Sequence, residues 1–155
     1  MSEREPSKDF IDSSVFLGSL FDKDEKCFKY LDDLGYSGEN IGFVSNLVFG
    51  EVLSNLVRRE QIDEYLRIDL FKTLATLIDD ALFQERLKNL KIEKEDLKRA
   101  KEIIEEIGHI NDPADALLLA IAVNNNCNKF ITIDKEIHEA KKRLSKRYKI
   151  VVESP

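Results

Sequence analysis

Four acidic residues interrupt apolar segments of this 155-residue chain. They are Asp12 in FIDSSVFL, Glu51 in LVFGEVLSNLV, Asp115 in PADALLLAIAV and Asp134 in FITID. Burying a carboxylate costs several kcal/mol unless it is paired, hydrogen-bonded or bound to a cation. Four such acids on separate apolar elements indicate a shared positive partner. A hard divalent metal ion, which takes oxygen ligands, fits that description.

The first half of the chain alternates strand and helix patterns. A short strand is predicted from Lys8 to Asp12, and the segment after it keeps helical spacing as far as Gly35. Turn residues then lead into a second strand, Asn40 to Ser45. Ser45 is of a type favoured at helix N-caps, so a helix is predicted from Asn46 to about Glu60.

Helical patterns dominate the middle of the chain. The amphipathic spacing from Gln61 to Leu90 predicts one long or two shorter helices, and a further helix is predicted from Glu95 to Ile107. Pro113 suits the first position of another helix, capped by Asn111 or Asp112. That last helix is apolar nearly all round, so we expect it to be central.

The C-terminal part supplies the remaining strands. KFITID is β-branched and apolar, which is typical of a strand buried on both faces, and KIVVE predicts a last strand after the basic helix KEIHEAKKRLSKR. Strands alternating with helices predict a three-layer α/β/α fold with a parallel sheet of about four to five strands. We expect a single domain over residues 8–155 and a flexible N-terminal arm over residues 1–7.

The predicted fold brings the four acids towards one edge of the sheet, because functional residues gather at the carboxyl ends of parallel strands. Asp12 and Asp134 end predicted strands, and Asp115 lies in the first turn of its helix. Glu51 lies one turn inside its helix and can reach the same edge. Thr132 is expected to share a strand face with Asp134 by period-two alternation.

This arrangement resembles the PIN-domain family of metal-dependent ribonucleases, from Lys8 to Val152. Four motifs carry the resemblance, in this order: hydrophobic–Asp–Ser–Ser–Val–Phe–Leu ending at Leu17, Ser-x-x-x-x-x-Glu-Val-Leu from Ser45, Ala-Asp-Ala-Leu-Leu-Leu-Ala from Ala114, and Ile-Thr-Ile-Asp from Ile131. Each motif alone is weak, but their order and separations are specific.

The resemblance implies a role for each matched residue. Asp12, Glu51, Asp115 and Asp134 would form the catalytic, metal-binding pocket for Mg²⁺ or Mn²⁺. Ser14 and Thr132 would orient carboxylates and waters rather than bind the metal. Two further residues, Arg58 and Lys135, are placed to contact a phosphate backbone.

The implied activity is endonucleolytic hydrolysis of RNA, assisted by one or two metal ions that lower the pKa of bound water. The resemblance also implies products with a 5′-phosphate, a homodimer, and the toxin half of a VapBC-type toxin–antitoxin pair with an antitoxin partner. The helical segment from Gln61 to Ile107 could serve as the dimer face or hold a partner. It is longer than in compact toxin members, which leaves the subfamily open.

Each acid also has a plain structural interpretation. Asp12 and Asp134 could cap the helices that follow them, and Asp115 could favour its helix N-terminus through the macrodipole. Glu51 could be an exposed acid paired along its own helix with Asn55 or Arg58. We favour the metal-site interpretation for these four. For Asp112 we favour a plain N-cap over an outer metal contact.

Composition excludes several classes. The net charge of −6 (24 Lys+Arg against 30 Asp+Glu) is not that of a general nucleic-acid binder, and the one basic stretch, residues 135–147, predicts a solvated helix face. The chain has no glycine-rich phosphate loop or nucleophile elbow. His109 and His138 are expected at the surface or in loops. Two distant cysteines and the lack of a membrane-length apolar run predict a cytoplasmic protein that does not enter a membrane.

Two functions from different classes compete. The first is the metal-dependent ribonuclease, which retention of all four acids favours. The second is a catalytically quiet PIN-like module that binds RNA or a protein partner in a larger assembly, which the sparse basic charge near the motifs favours. A small-molecule phosphohydrolase would need its own phosphate-binding loop, which the sequence lacks.

Overall fold

The computed structural model describes residues 4–59 and 62–155. The strands of this part of the chain are β1 (Ser7–Ile11), β2 (Asn40–Ser45), β3 (Leu87–Leu90), β4 (Lys129–Ile131) and β5 (Val151–Glu153). The helices are α1 (Ser13–Leu20), α2 (Glu25–Asp33), α3 (Asn46–Arg58), α4 (Glu64–Phe83), α5 (Lys94–Ile107), α6 (Pro113–Asn124), α7 (Lys135–Glu139) and α8 (Lys141–Tyr148).

All four strand pairings are parallel, and the order across the sheet is β3-β2-β1-β4-β5. The chain starts at β1, moves outward through β2 and β3, and then returns to the other side of β1 for β4 and β5. The order therefore reverses between β1 and β4, which is where parallel α/β sheets form ligand sites beyond their carboxyl ends. The predicted three-layer α/β/α fold with a parallel sheet of four to five strands is confirmed.

The core joins the central strands to α6. Phe10 of β1 pairs in register with Phe130 of β4, and their rings stack with centroids 5.5 Å apart. Leu118, Leu119 and Ile121 of α6 are all 0% exposed. The expectation that this nearly all-apolar helix is central is confirmed. Asp112 provides its N-cap, since its Oδ1 accepts the Ala114 N–H at 2.8 Å.

The prediction of helix from Gln61 to Leu90 is wrong at its C-terminal end. Helix α4 ends at Phe83, Glu85 adopts a left-handed conformation with φ 58°, and the Arg86 N–H donates to the Ala81 carbonyl. Leu87–Leu90 then pairs with β2 as the edge strand β3. Amphipathic spacing in LKNL fits a helix or a strand equally, and only the pairing with β2 decides between them. Gln61 itself lies outside the described residues.

The segment after Asp12 forms two helices rather than one. Lys23 has a left-handed backbone, with φ 49°, and separates α1 from α2. The Asp24 carboxylate then caps α2 by accepting the N–H groups of Lys26 and Cys27 at 2.9 and 3.1 Å. The five charged residues from Asp22 to Lys26 interrupt the apolar spacing, and Asp24 is of a type favoured at N-caps, so the sequence held a signal for this break that the helical interpretation missed.

Two local predictions also need correction. Ser45 does precede α3, but its side chain makes no capping hydrogen bond, and its buried Oγ has no partner among the described residues. Strand β4 ends at Ile131, so Thr132 and Asp134 do not share a strand face as predicted. Backbone turning after Ile131 brings them together instead, with the Asp134 N–H donating to Thr132 Oγ1 at 3.0 Å.

Residues 1–3 of the predicted flexible arm lie outside the described residues, and β1 begins at Ser7. The arm over residues 1–7 and the single domain over 8–155 stay predictions. None of the described helices is both long and apolar enough to cross a membrane.

Candidate metal-binding acidic site

Asp12 occupies the point where the strand order reverses. It directly follows β1, its N–H donates to the Ile131 carbonyl of β4 at 3.0 Å, and the residue is only 2% exposed. It stands at the N-cap position of α1, yet its side chain makes no capping hydrogen bond. The alternative that the Asp12 carboxylate serves mainly as a helix cap is therefore wrong.

Two hydroxyl groups fix one oxygen of the Asp12 carboxylate. Ser14 Oγ and Thr132 Oγ1 donate to Asp12 Oδ2 at 2.7 and 2.8 Å, and the two hydroxyl oxygens lie 3.2 Å apart. In turn, Thr132 Oγ1 accepts the Asp134 N–H at 3.0 Å, and Ser14 Oγ accepts the Ile133 N–H at 3.2 Å. Asp12 Oδ1, by contrast, is buried with no hydrogen-bond partner among the described residues. Burial raises the pKa of this carboxyl, and the charge of Asp134 adds to the effect.

Glu51 presents a second unsatisfied oxygen. It lies in α3, which packs against α1 and α6, and its buried Oε1 also has no partner among the described residues. Asn55 contacts the Glu51 backbone carbonyl at 2.9 Å, and the described residues include no ion pair between Glu51 and Arg58. Burial, followed by the charges of Asp12 and Asp112, raises the pKa of Glu51 to about 7.

Asp115 lies within electrostatic reach of the other three acids of the site. It is half-buried in the first turn of α6. Burial raises its pKa to about 7, and the charges of Asp12, Asp112, Asp134 and Glu51 add to that rise in this order. The four sequence-predicted acids are therefore close enough to repel one another electrostatically. The macrodipole of α6 favours a charged carboxylate here but does not overcome burial and repulsion.

Asp134 is held by the helix that follows it. Its Oδ1 accepts the Glu136 and Ile137 N–H groups at 2.8 and 3.4 Å, which makes it the N-cap of α7. The capping alternative is thus correct for this residue. Both contacts use Oδ1, so capping and a role for the other oxygen are compatible. The charge of Asp134 reaches Asp12 and Asp115, where it raises both pKa values.

The acidic site (Asp12, Glu51, Asp115 and Asp134) is an electrostatic cluster rather than a finished coordination sphere. Within residues 4–59 and 62–155, no three His, Cys, Asp or Glu side chains are grouped closely enough to hold a metal ion in this conformation. The donor chemistry nevertheless suits a divalent cation. Asp12 and Glu51 each hold a buried oxygen that lacks a partner among the described residues, and a cation would offset the burial and repulsion that raise the carboxyl pKa values.

The sequence analysis misplaced His138, which contacts the backbone of Thr132 beside the acidic site. His138 was expected at the surface or in a loop, but it lies half-buried in α7 with Nε2 2.8 Å from the Thr132 carbonyl oxygen and 3.1 Å from Ser154 Oγ. The only signal was its position four residues after Asp134, one helical turn along α7. Of the predicted phosphate contacts, Arg58 and Lys135 are exposed and form no ion pair within the described part of the chain.

The PIN domain family model matches residues 10–143, so this chain belongs to the PIN-domain family. No curated protein sequence matches it. Its fold is similar to that of FitAcB from Neisseria gonorrhoeae, with 15% identity, a TM-score of 0.66, and 93% of this chain and 95% of that chain covered.

Two further solved structures have the same fold. The VapBC2 structure from Rickettsia felis, bound to a DNA fragment from its promoter, gives a TM-score of 0.63 at 13% identity and covers 95% of this chain and 98% of that one. VapC20 from Mycobacterium tuberculosis, a toxin that cleaves the sarcin–ricin loop, gives 0.58 at 16% identity and covers 85% and 94%. At these identities the likeness establishes the fold.

Proposed function

We propose that this protein is a metal-dependent ribonuclease that hydrolyses phosphodiester bonds of RNA at the acidic site. One observation carries the proposal: Asp12 Oδ1 and Glu51 Oε1 are buried without a partner among the described residues, beside acids whose pKa values are raised by burial and by one another's charges. Unpaired buried carboxylate oxygens are costly, and a bound cation removes that cost. Membership of the PIN-domain family supports nuclease chemistry at this position.

Asp12, Glu51, Asp115 and Asp134 would hold Mg²⁺ or Mn²⁺ through their carboxylate oxygens. The ion would supply a bound water of lowered pKa as the attacking nucleophile. No side chain need attack the phosphorus. Mg²⁺ prefers oxygen ligands and keeps several of its waters, which suits a set of carboxylates that also leaves space for substrate.

The chain's own residues prepare this site in two ways. Ser14 and Thr132 hold Asp12 by Oδ2, so that Oδ1 is directed away from them and does not rotate freely. The N-terminus of α7 holds Asp134 by Oδ1. Glu51 and Asp115, with pKa values raised to about 7, carry protons for part of the time near neutral pH and release them when a cation binds.

RNA is the proposed substrate on the strength of the family resemblance. Arg58 in the last turn of α3 and Lys135 at the start of α7 are the proposed phosphate contacts, because each is exposed on an element that also carries a site acid. Their contribution would be to binding rather than to the chemical step, since a lysine or arginine on a phosphate adds affinity without sequence preference.

We also propose that the protein is the toxin of a toxin–antitoxin pair and forms a homodimer. Solved structures with this fold include a toxin–antitoxin complex from Klebsiella pneumoniae and a member of the VapBC family of toxin–antitoxin systems from Mycobacterium tuberculosis, which supports an antitoxin partner. Several large apolar side chains on α3 and α4 are exposed, among them Val57, Tyr65 and Phe71 at 70%, 83% and 48%. Large apolar side chains that stay exposed on a folded domain are candidates for contact with a partner.

Cleavage of a mixed pool of structured and single-stranded RNA tests the activity, with wild type and Asp115→Asn compared in Mg²⁺, Mn²⁺ and EDTA. We expect cleavage that requires a metal and is lost in Asp115→Asn. Asp79→Asn, which neutralises an exposed acid on α4, is the matched control and should cleave as wild type does. A circular dichroism melt of each variant establishes that it is folded.

The quiet PIN-like module remains the second candidate, favoured by the lack of a preformed ligand group among the described residues. It predicts a different outcome of the same experiment: an intact RNA pool in every metal for wild type and Asp115→Asn alike. Metal-dependent thermal stabilisation separates the two further. If the protein is a module without a metal site, Mg²⁺ and Mn²⁺ should raise the melting temperature of wild type no more than that of Asp12→Asn. If the protein binds a metal at the acidic site, only wild type should gain stability.

A further inference from the structure

A concentrated positive charge lies outside the acidic site. Six of the nine residues from Lys141 to Lys149 are Lys or Arg, and none is acidic, although the chain as a whole has a net charge of −6. These residues form α8 and the turn that leads into β5 at the edge of the sheet. Such a local reversal of charge sign calls for an explanation beyond solubility.

The two arginines of this stretch are engaged in the fold. Arg143 Nη1 donates to the Ile107 carbonyl at the end of α5, and Arg147 Nε pairs with the Glu106 carboxylate at 2.8 Å. These contacts tie α8 to α5. Their guanidinium groups are thus directed towards α5 and its C-terminus.

The lysines are different. Lys141, Lys142 and Lys146 are exposed, and they form no ion pair with any described residue. They line an open groove of about 490 Å³ together with Ser145 and the β5 residues Val151 and Val152. We call Lys141, Lys142 and Lys146 the basic face; its groove has an apolar floor, a hydroxyl and three ammonium groups.

The basic face begins close to the acidic site. From Asp134 the chain passes through α7 and Ala140, which has αR geometry, directly into α8. Only the five residues of α7 and Ala140 separate Asp134 from Lys141 along the chain. Strand β5 also reaches the site edge, because the Thr132 N–H donates to the Glu153 carbonyl at 3.0 Å. An extended polymeric ligand that crosses the acidic site can therefore continue onto the basic face.

The helix itself adds to the positive potential. Lys141 and Lys142 lie in the first turn of α8, which contains no acidic residue. Cations are disfavoured there, since the macrodipole already places partial positive charge at a helix N-terminus. Lys141 and Lys142 are therefore electrostatically unfavourable at this helix end, and a bound anion would turn that unfavourable term into a favourable one.

We propose that the basic face binds the phosphate backbone of the RNA strand whose scissile bond lies at the acidic site. This inference rests on the proposed function. A cluster of carboxylates repels a polyanion, and lysines one helix away would offset that repulsion and set the path of the strand. Lysine is a flexible point charge that suits phosphate, whereas bidentate recognition of carboxylates on a protein favours arginine, and both arginines here are engaged.

Binding of a fluorescein-labelled single-stranded RNA of mixed sequence, measured by anisotropy in EDTA so that no cleavage occurs, tests the proposal. The test variant is Lys141→Gln/Lys142→Gln/Lys146→Gln in the full chain. Its matched control is Lys88→Gln/Lys94→Gln/Lys98→Gln, which removes the same charge from exposed positions on β3 and α5. Glutamine keeps helix propensity close to that of lysine on α8 and α5, and Lys88 is exposed on the edge strand β3, so both triples should fold.

We expect the test triple to weaken RNA binding by about tenfold or more and to reduce the slope of log Kd against log salt by about 2, and we expect little change in the control. Equal weakening of both triples would reduce the effect to net charge and overturn the proposal. So would unchanged binding in the test triple, or no RNA binding by wild type. Tight binding of poly-glutamate that depends on the same lysines would assign the face to an acidic protein instead.

The outcome is separable from that of the ribonuclease proposal. Suppose that wild type cleaves RNA in the presence of a metal and that the lysine triple binds RNA as tightly as wild type does. The ribonuclease proposal would then be supported, and the proposal for the basic face would be wrong. Lysine-dependent RNA binding without cleavage in any metal would do the reverse. The second result would identify an RNA-binding module of the PIN-domain family.

Discussion

Thr132 donates its hydroxyl to Asp12 Oδ2 at 2.8 Å, across the ends of the two neighbouring strands between which the order of the sheet reverses. The same hydroxyl oxygen accepts the Asp134 N–H at 3.0 Å. One small side chain therefore sets the relative positions of two of the proposed metal ligands. It does so from a position that is itself 0% exposed.

Replacing Thr132 with Val keeps the shape of the side chain and removes both hydrogen bonds. We expect the free energy of unfolding to fall by about 1–3 kcal/mol, because a buried carboxylate oxygen loses a donor and the Asp134 N–H loses its acceptor. We also expect weaker Mg²⁺ stabilisation, as Asp12 and Asp134 are no longer held together. Urea unfolding with and without Mg²⁺ measures both effects.

Thr76→Val is the matched control for this prediction. The Thr76 hydroxyl donates to the Lys72 carbonyl of its own helix on the exposed side of α4. Its loss should change stability by less than about 0.5 kcal/mol, in line with other surface substitutions, and should leave metal stabilisation unchanged. If both threonine variants behave alike, Thr132 has no special part in placing the acids.

Neutralising Asp115 should stabilise the metal-free protein at pH 8. Its carboxylate is half-buried and repelled by the other three acids, so Asp115→Asn removes an unfavourable charge. We expect a melting temperature in EDTA that is higher than wild type by a few degrees at pH 8 and nearly equal at pH 5, where the carboxyl is already protonated. Differential scanning calorimetry measures both.

Asp9→Asn provides a comparison of opposite sign. Asp9, on β1, is a buried acid too, but its carboxylate has partners. It accepts hydrogen bonds from Ser7, Tyr30 and Asn40 at 2.7, 2.7 and 3.1 Å. Losing this charged acceptor should cost about 1.5–3 kcal/mol. A destabilising effect of Asp115→Asn at pH 8 similar to that of Asp9→Asn would contradict the picture of an acidic site without a partner.

The positions of the acids were predictable from sequence because each one breaks a strong pattern. Asp12 and Asp134 follow β-branched or aromatic runs, and Asp115 follows a proline that marks a helix start. Parallel strands then place these positions at one edge by topology alone. The sheet order agrees with that expectation, and so do the charges of the other acids, which add to the effect of burial in raising the pKa of Asp115.

What the sequence did not reveal depended on contacts between distant segments. Strand β3 was predicted as helix because LKNL is short and has no period that distinguishes the two. The hydrogen bonds of Thr132 arise from a turn after Ile131, not from strand alternation. His138 contacts the Thr132 carbonyl only because α7 folds back on the end of β5, which no local pattern encodes.

Two glycines should respond oppositely to alanine. A Cβ at Gly42 of β2 would lie 2.6 Å from Leu34 Cδ2, 2.8 Å from Leu87 Cδ1 and 3.1 Å from Ile11 Cδ1. These three side chains are buried and cannot all move aside, so Gly42→Ala should destabilise the protein by about 1–3 kcal/mol. Chemical denaturation at neutral pH gives the value directly.

Gly50, in the middle of α3, is the matched partner of Gly42. A Cβ there would meet no atom within 4 Å among the described residues. Alanine in an exposed helix interior is more favourable than glycine by about 1 kcal/mol, so Gly50→Ala should stabilise the protein. The result also bears on the site, since Gly50 precedes Glu51; a loss of stability would mean that α3 is not an ordinary helix at this point.

The stability of the metal-free protein should fall as the pH rises from 5 to 8. Folding raises the pKa of Glu51 from 4.5 to about 7 and that of Asp115 from 3.8 to about 7. Between these values the folded state binds more protons than the unfolded state, so the free energy of unfolding falls as the pH rises through this window.

Mg²⁺ should stabilise the protein more at pH 8 than at pH 5, because protons compete with the metal for the same oxygens. Melting temperatures in EDTA and in Mg²⁺ across this range test the sign, and the double variant Glu51→Gln/Asp115→Asn should flatten both curves. A wild-type protein that gains stability in EDTA towards pH 8 would mean that these two carboxyls ionise freely and that no cation is needed to hold them.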